Sequence, residues 1–162
     1  GGDVYMGDLG VSGQSVATSS VRQEIDGKEG LRFNLDDDAT GVTINLSRFF
    51  INDDGSLFTE SGRLRLLDDS GNVVAETTFS ATSAAGTQQV SLDAAGGFSA
   101  VELVAGAYDG TDFMFGGYQD ASGGFGSGVT SDGTGQHGSD FMVDWVEFEF
   151  PVIGVPLPLN EL

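Results

Sequence analysis

Glycine occurs 26 times in these 162 residues and is spread along the whole chain, which excludes a sustained helix. Each glycine inside a helix costs about 1 kcal/mol relative to alanine. No segment carries the 3.6-residue apolar period whose burial would offset that cost. Apolar residues instead alternate at period two in short runs, bounded by Gly, Asp, Asn and Ser, the pattern of half-buried strands. Residues 21–25, 31–35, 42–46, 63–67, 73–79, 88–92, 98–105 and 141–150 are read as strands. Leu31, Phe33 and Leu35 share one face, as do Val42, Ile44 and Leu46, with a turn expected at Asp36-Asp37-Asp38-Ala39-Thr40-Gly41 between them. Asp68-Asp69-Ser70-Gly71-Asn72 reads as a hairpin connection. Many short strands with frequent turns predict an all-β fold, a jelly-roll-like β-sandwich. The length fits one domain over residues 1–150. Residues 151–162, with Pro151, Pro156 and Pro158, read as a linker or edge segment toward a neighbouring domain.

Charge narrows the partners. The chain has 25 acids against six Lys and Arg, a formal charge of −19, and all six cations precede residue 66. Nucleic acid is a poor partner for such a surface, and crowded carboxylates are most simply stabilised by a divalent cation. A solvated acidic surface is the plain alternative. With no cysteine there is neither a disulfide nor a thiolate site, so any bound metal must be held through oxygen. No apolar run approaches the roughly 18 residues of a spanning helix, so direct membrane insertion is not expected. The first residues lack the basic-then-apolar pattern of a signal peptide, as expected for one domain of a longer chain.

Residues 106–140 form the longest stretch without an expected strand. Five aspartates fall in it (Asp109, Asp112, Asp120, Asp132, Asp140), together with Tyr108, Phe113, Phe115, Tyr118 and Phe125. Calcium takes six to eight oxygens from carboxylates, carbonyls and hydroxyls and tolerates irregular geometry. Asp109-Gly110-Thr111-Asp112, Ser131-Asp132-Gly133 and Ser139-Asp140 would supply such oxygens for one or two ions. The competing reading is that these aspartates only cap turns. Neither Asp53-Asp54-Gly55 nor Asp68-Asp69-Ser70-Gly71 has EF-hand spacing, and Gly123-Gly124-Phe125-Gly126-Ser127-Gly128 places Gly128 where a calcium-binding β-helix repeat requires Asp.

Met142, Val146, Phe148 and Phe150 fall on one face of the final strand at period two, with Asp144 among them. A buried carboxylate needs a partner, and Glu24 on an early strand is expected to join Asp144 at a structural calcium. The alternatives are solvent exposure, or pairing with Arg22 or Arg32.

Enzyme readings lack support. His137 is the single histidine, and there is no nucleophile elbow, zinc helix or phosphate loop. The aromatics Tyr108, Phe115, Tyr118, Phe125 and Trp145 read equally as a ligand platform or as a small satellite core.

The strings Val101-Glu102-Leu103-Val104-Ala105-Gly106-Ala107-Tyr108-Asp109-Gly110-Thr111-Asp112-Phe113, Gly116-Gly117-Tyr118 and His137-Gly138-Ser139-Asp140-Phe141-Met142-Val143-Asp144 resemble the calcium-dependent peptide-binding domains of type I-secreted RTX adhesins, including those of Vibrio and Marinomonas. The resemblance covers about residues 3–150. It implies a β-sandwich with several calcium ions, part of a bacterial cell-surface adhesin that acts in attachment and biofilm formation. The implied partner is a peptide or protein on another cell, held by its C-terminal carboxylate, and the isolated domain is expected to be monomeric. Carried over, Asp109, Asp112, Asp132 and Asp140 become candidate calcium ligands, with His137 and Ser139 near the same pocket; Gly110 and Ser139 are added as metal-site candidates, and Tyr108, Gly116, Gly117, Tyr118, Ser131 and His137 as ligand-facing ones. Residues 141–150 also resemble the last strand of jelly-roll carbohydrate-binding modules, which keeps a calcium-dependent lectin as the alternative; a stalk spacer is a third reading.

Overall fold

The computed structural model describes residues 4–9, 24–52, 58–120, 122–127 and 136–152, with residues 4–9, 127, 136 and 137 in backbone only. Eleven strands and no helix occur among them. The frame is an antiparallel ribbon of two long strands, β3 (Gly30–Phe49) and β6 (Gly86–Tyr108), paired from Gly30 opposite Val104 to Phe49 opposite Gly86.

Each long strand replaces two expected short ones. Asp36, Asp37 and Asp38 are exposed as a turn would have them, but the chain does not reverse there. The register shifts on either side of Ala39 and the ribbon bends. Both halves of β3 find partners in β6, so pairing continues through the irregularity. Across from it Gly97 adopts a φ of 88°, which takes up the extra length on the opposing strand.

The ribbon is extended on opposite sides at its two ends. Residues 100–106 of β6 pair with β4 (Ser61–Leu67), which forms the expected hairpin with β5 (Val73–Ser80). Residues 41–47 of β3 pair with β11 (Asp140–Glu149), which is flanked by β1 (Val4–Leu9) and the short β2 (Ile25–Asp26). The eight-stranded sheet is therefore curled into a half-barrel that brings its two wings together. Phe79 from β5 and Phe141 from β11 meet with ring centroids 6.1 Å apart, and both pack on Phe49 of β3, at 5.6 and 5.2 Å. One apolar cluster fills the curl, including Ile44, Leu46, Leu64, Leu66, Val101, Leu103, Val146 and Phe148, all at most 1% exposed.

The stretch read as a single long loop is mostly short strands. β7 (Phe113–Phe115) folds back on the end of β6, while β8 (Gly117–Asp120), β9 (Phe125–Ser127) and β10 (Gln136–Gly138) make a separate three-stranded sheet in the order β10-β8-β9. Turns at positive-φ glycines fall between short aromatic-bearing segments, and segments of three or four residues are too short to show a period. Residues 128–135, with Ser131 and Asp132, and residues 153–162 lie outside the described set.

Candidate functional site

Period two counted back from Leu66 and Leu64 through Gly62 lands on Glu60, which places a carboxylate on the inward face just before β4. Glu60 is 0% exposed. Its carboxylate accepts the backbone N–H of Asp140 at 3.0 Å and that of Phe50. Its own backbone N–H donates to Phe50 O at 3.2 Å, and its carbonyl accepts Ala81 N–H at 2.8 Å. A single acid thus ties together the end of β3, the chain after β5 and the start of β11.

Ser139 sits beside it, 2% exposed, accepting Ser61 N–H at 2.7 Å and donating to Gly106 O at 2.6 Å. Its hydroxyl bridges β4 and β6. Asp140 lies opposite Asp26 in the β11–β2 pairing. Glu24 is 3% exposed and is ion-paired to Arg48, whose backbone takes a φ of 56°. The hydrogen bond to Glu24, together with the field of Asp140 and Glu60, holds the Arg48 guanidinium above its ordinary value.

Four acids, Glu24, Asp26, Glu60 and Asp140, therefore share the neighbourhood of one arginine. Burial, reinforced by a hydrogen bond to Asp140, pushes the Glu60 carboxyl up to about 11. Burial and Asp26 likewise raise Glu29, whose Oε2 is buried without a hydrogen-bond partner among the described residues. The donors are all oxygen, the type calcium takes. As placed, however, no three Asp, Glu or His side chains among the described residues converge to hold a metal ion.

Asp109 and Asp112 lie elsewhere, in the hairpin between β6 and β7. Asp109 Oδ1 accepts the N–H groups of Thr111 and Asp112, both at 2.8 Å, and these bonds hold its carboxyl below the ordinary range. Asp120 does the same with Ser122 and Gly124, and Asp68 with Ser70 and Asn72. Turn capping accounts for Asp68, Asp109 and Asp120 alike. Tyr108 OH donates to Gly110 O at 3.0 Å, closing the same hairpin. Asp112 and Gly110 are exposed at its tip.

Asp144 departs from the period-two expectation. The pairing of β11 with β3 slips between Val143 and Trp145, so Asp144 is the unpaired residue of a bulge. It is half-buried and accepts Asn45 Nδ2 at 3.1 Å, while Glu24 pairs with Arg48. Glu24 and Asp144 thus have separate partners. Before the bulge Phe141 and Val143 are both 0% exposed, and Met142 between them is buried as well, at 8%.

Of the ligand-facing candidates, Gly116 has its N–H committed to Ala105 O at 3.3 Å, and Gly117 is buried in β8 opposite Ser127. Tyr118 lies over Gly126, where a Cβ would fall 2.8 Å from its hydroxyl oxygen. His137 is in β10 opposite Gln119. Phe115 and Phe125 are each 40% exposed, whereas Trp145 is half-buried. No protein-family model, curated protein or solved structure matches the chain.

Proposed function

We propose that this chain is a non-catalytic, calcium-dependent binding module, the adhesive part of a larger protein at a bacterial cell surface. In this reading it is an RTX-type adhesin domain exported by type I secretion. The curled sheet then corresponds to a jelly-roll-like sandwich whose two layers are the wings of the β3–β6 ribbon. The observation that carries the reading is the excess of buried carboxylate over cation around Glu60. Such a cluster is unfavourable when ionised and is relieved either by protons or by a bound cation. Glu60, Asp140 and Asp26 do not converge as placed and would have to draw together to hold calcium, with Glu24 kept in place by Arg48. The partner is a peptide or protein with a free C-terminal carboxylate, which a calcium short of protein ligands accepts despite the surrounding negative charge. Phe115 and Phe125, both 40% exposed, favour the alternative of a lectin, since exposed rings stack on sugars.

Calcium titration of thermal stability tests the reading. With a dissociation constant of about 10⁻⁴ M, a hundredfold excess adds about 2.7 kcal/mol, and the melting temperature rises by roughly 5–10 °C. Glu60→Gln and Asp140→Asn shrink that rise. A melting temperature indifferent to calcium and to chelator rejects the proposal. Binding of peptides with free but not amidated C-termini separates the adhesive reading from the lectin.

A further inference from the structure

The outer face of the β3–β6–β4–β5 wing carries two adjacent cross-strand rows of different character. In the first, Arg32, Glu102, Arg65 and Glu76 follow one another across the four strands, and the charges alternate. Arg32 bonds Glu102 at 2.8 Å and Arg65 pairs with Glu76, so this row is internally neutral. In the second row Gly30, Val104, Arg63 and Thr78 occupy the same four strands, and Arg63 is the only charge.

Arg63 has no carboxylate partner among the described residues, and its Nε is buried without an acceptor. One face of the guanidinium is covered by Phe113, 5.0 Å from the ring centroid. Burial and the neighbouring Arg65 hold the group below its ordinary value, against the opposing pull of Glu76 and Glu102. Beside it opens a groove of about 310 Å³ lined by Gly30, Arg32, Arg63, Val104 and Phe115 among others. Glycine at position 30 keeps it open, since a Cβ there would fall 2.8 Å from Val104 Cγ1. Glu102 also borders the groove, but its carboxylate is engaged by Arg32. The stem of Lys28 packs at Gly116, next in sequence to Phe115.

A buried, unpaired guanidinium donor is costly and is relieved by a planar anion that accepts from it. We propose that the groove binds a small carboxylate with an apolar body, its carboxylate on Arg63 and its body against Val104 and Phe115. The site differs in place and chemistry from the acid cluster around Glu60, since its charge is cationic. In a chain of net charge −19, it selects a small anion whose charge is masked as it enters, rather than an extended polyanion.

Phenylacetate is the probe, followed by calorimetry or by chemical-shift titration of the folded protein in calcium-containing buffer. Phenylacetamide keeps the body without the charge, and acetate keeps the charge without the body. The expected result is saturable binding of phenylacetate, weakened about tenfold or more by amidation or by Arg63→Gln. Val104→Glu, which places an internal acceptor beside Arg63, abolishes binding while preserving the fold, and it stands in should Arg63→Gln fail to fold. Absence of saturable phenylacetate binding, equal binding of phenylacetamide, or undiminished binding by either variant overturns the proposal.

Discussion

Glu60 sets the pH response at the level of single residues. Its folded-state value lies far above the ordinary 4.5, so its contribution to stability is complete below that value and is lost as pH rises toward about 11. In the absence of calcium the melting temperature should therefore fall between about pH 5 and about pH 9, and Glu60→Gln should flatten that slope. On the acid side the sign reverses. Asp68, Asp109 and Asp120 are held below the ordinary range by N–H donors, so what they contribute is present above it and is lost as they protonate. A second prediction separates capping from metal binding at Asp109. Asparagine retains the accepting oxygen, so Asp109→Asn should change stability by no more than about 0.5 kcal/mol in thermal unfolding and leave the calcium response intact. A lost calcium response would return Asp109 to the metal site. The chemistry of individual residues was only partly legible in the sequence. Glu60 was within reach, because the period leading back from Leu66 points at it, but the strand read there began only at residue 63. Asp109 was conspicuous for its neighbours, and those neighbours are the N–H groups it caps.

At the scale of elements, the β4–β5 hairpin was readable because Asp68 and Gly71 encode its turn locally. The bend in β3 was not. Three consecutive aspartates carry the same local signal whether the chain reverses or only kinks, and the outcome depends on β6, far away in sequence. Asp144 was misplaced for a related reason, since one inserted residue shifts every side chain before it to the other face. The bend makes a prediction of its own. Gly97 combines a φ of 88° with a Cβ position only 3.3 Å from Asp38 Cβ, whereas Gly71, at 80°, faces open space. Alanine at either position pays backbone strain of about 1–2 kcal/mol. Gly97→Ala should exceed Gly71→Ala in denaturant unfolding, because only there must the opposing strand also shift. Equal losses would mean that the ribbon yields freely at its bend.

The half-barrel unites two wings, β4 with β5 and β11 with β1, through one ribbon of β3 and β6. All-β character followed from glycine content and apolar alternation; the curl did not, because it depends on which ends of β3 and β6 acquire neighbours. Releasing either wing breaks its ladder to the ribbon, β4 on β6 or β11 on β3, and opens the Phe49, Phe79 and Phe141 contact with it. The same connectivity bears on how fast the molecule forms. Closing the ribbon at Phe49 and Gly86 requires a shorter loop than closing it at Gly30 and Val104, and the entropy of closure grows with loop length. Closing β4 on β6 from Leu67 and Ala100 spans a shorter loop still, whereas β11 reaches β3 across a longer separation than any within the ribbon. With most of its contacts non-local, the chain belongs among slow folders, on a millisecond-to-second scale. The wing that carries Arg63 is thus joined before β11 docks on β3, and for that interval Glu60 lacks the Asp140 N–H that it accepts in the finished fold.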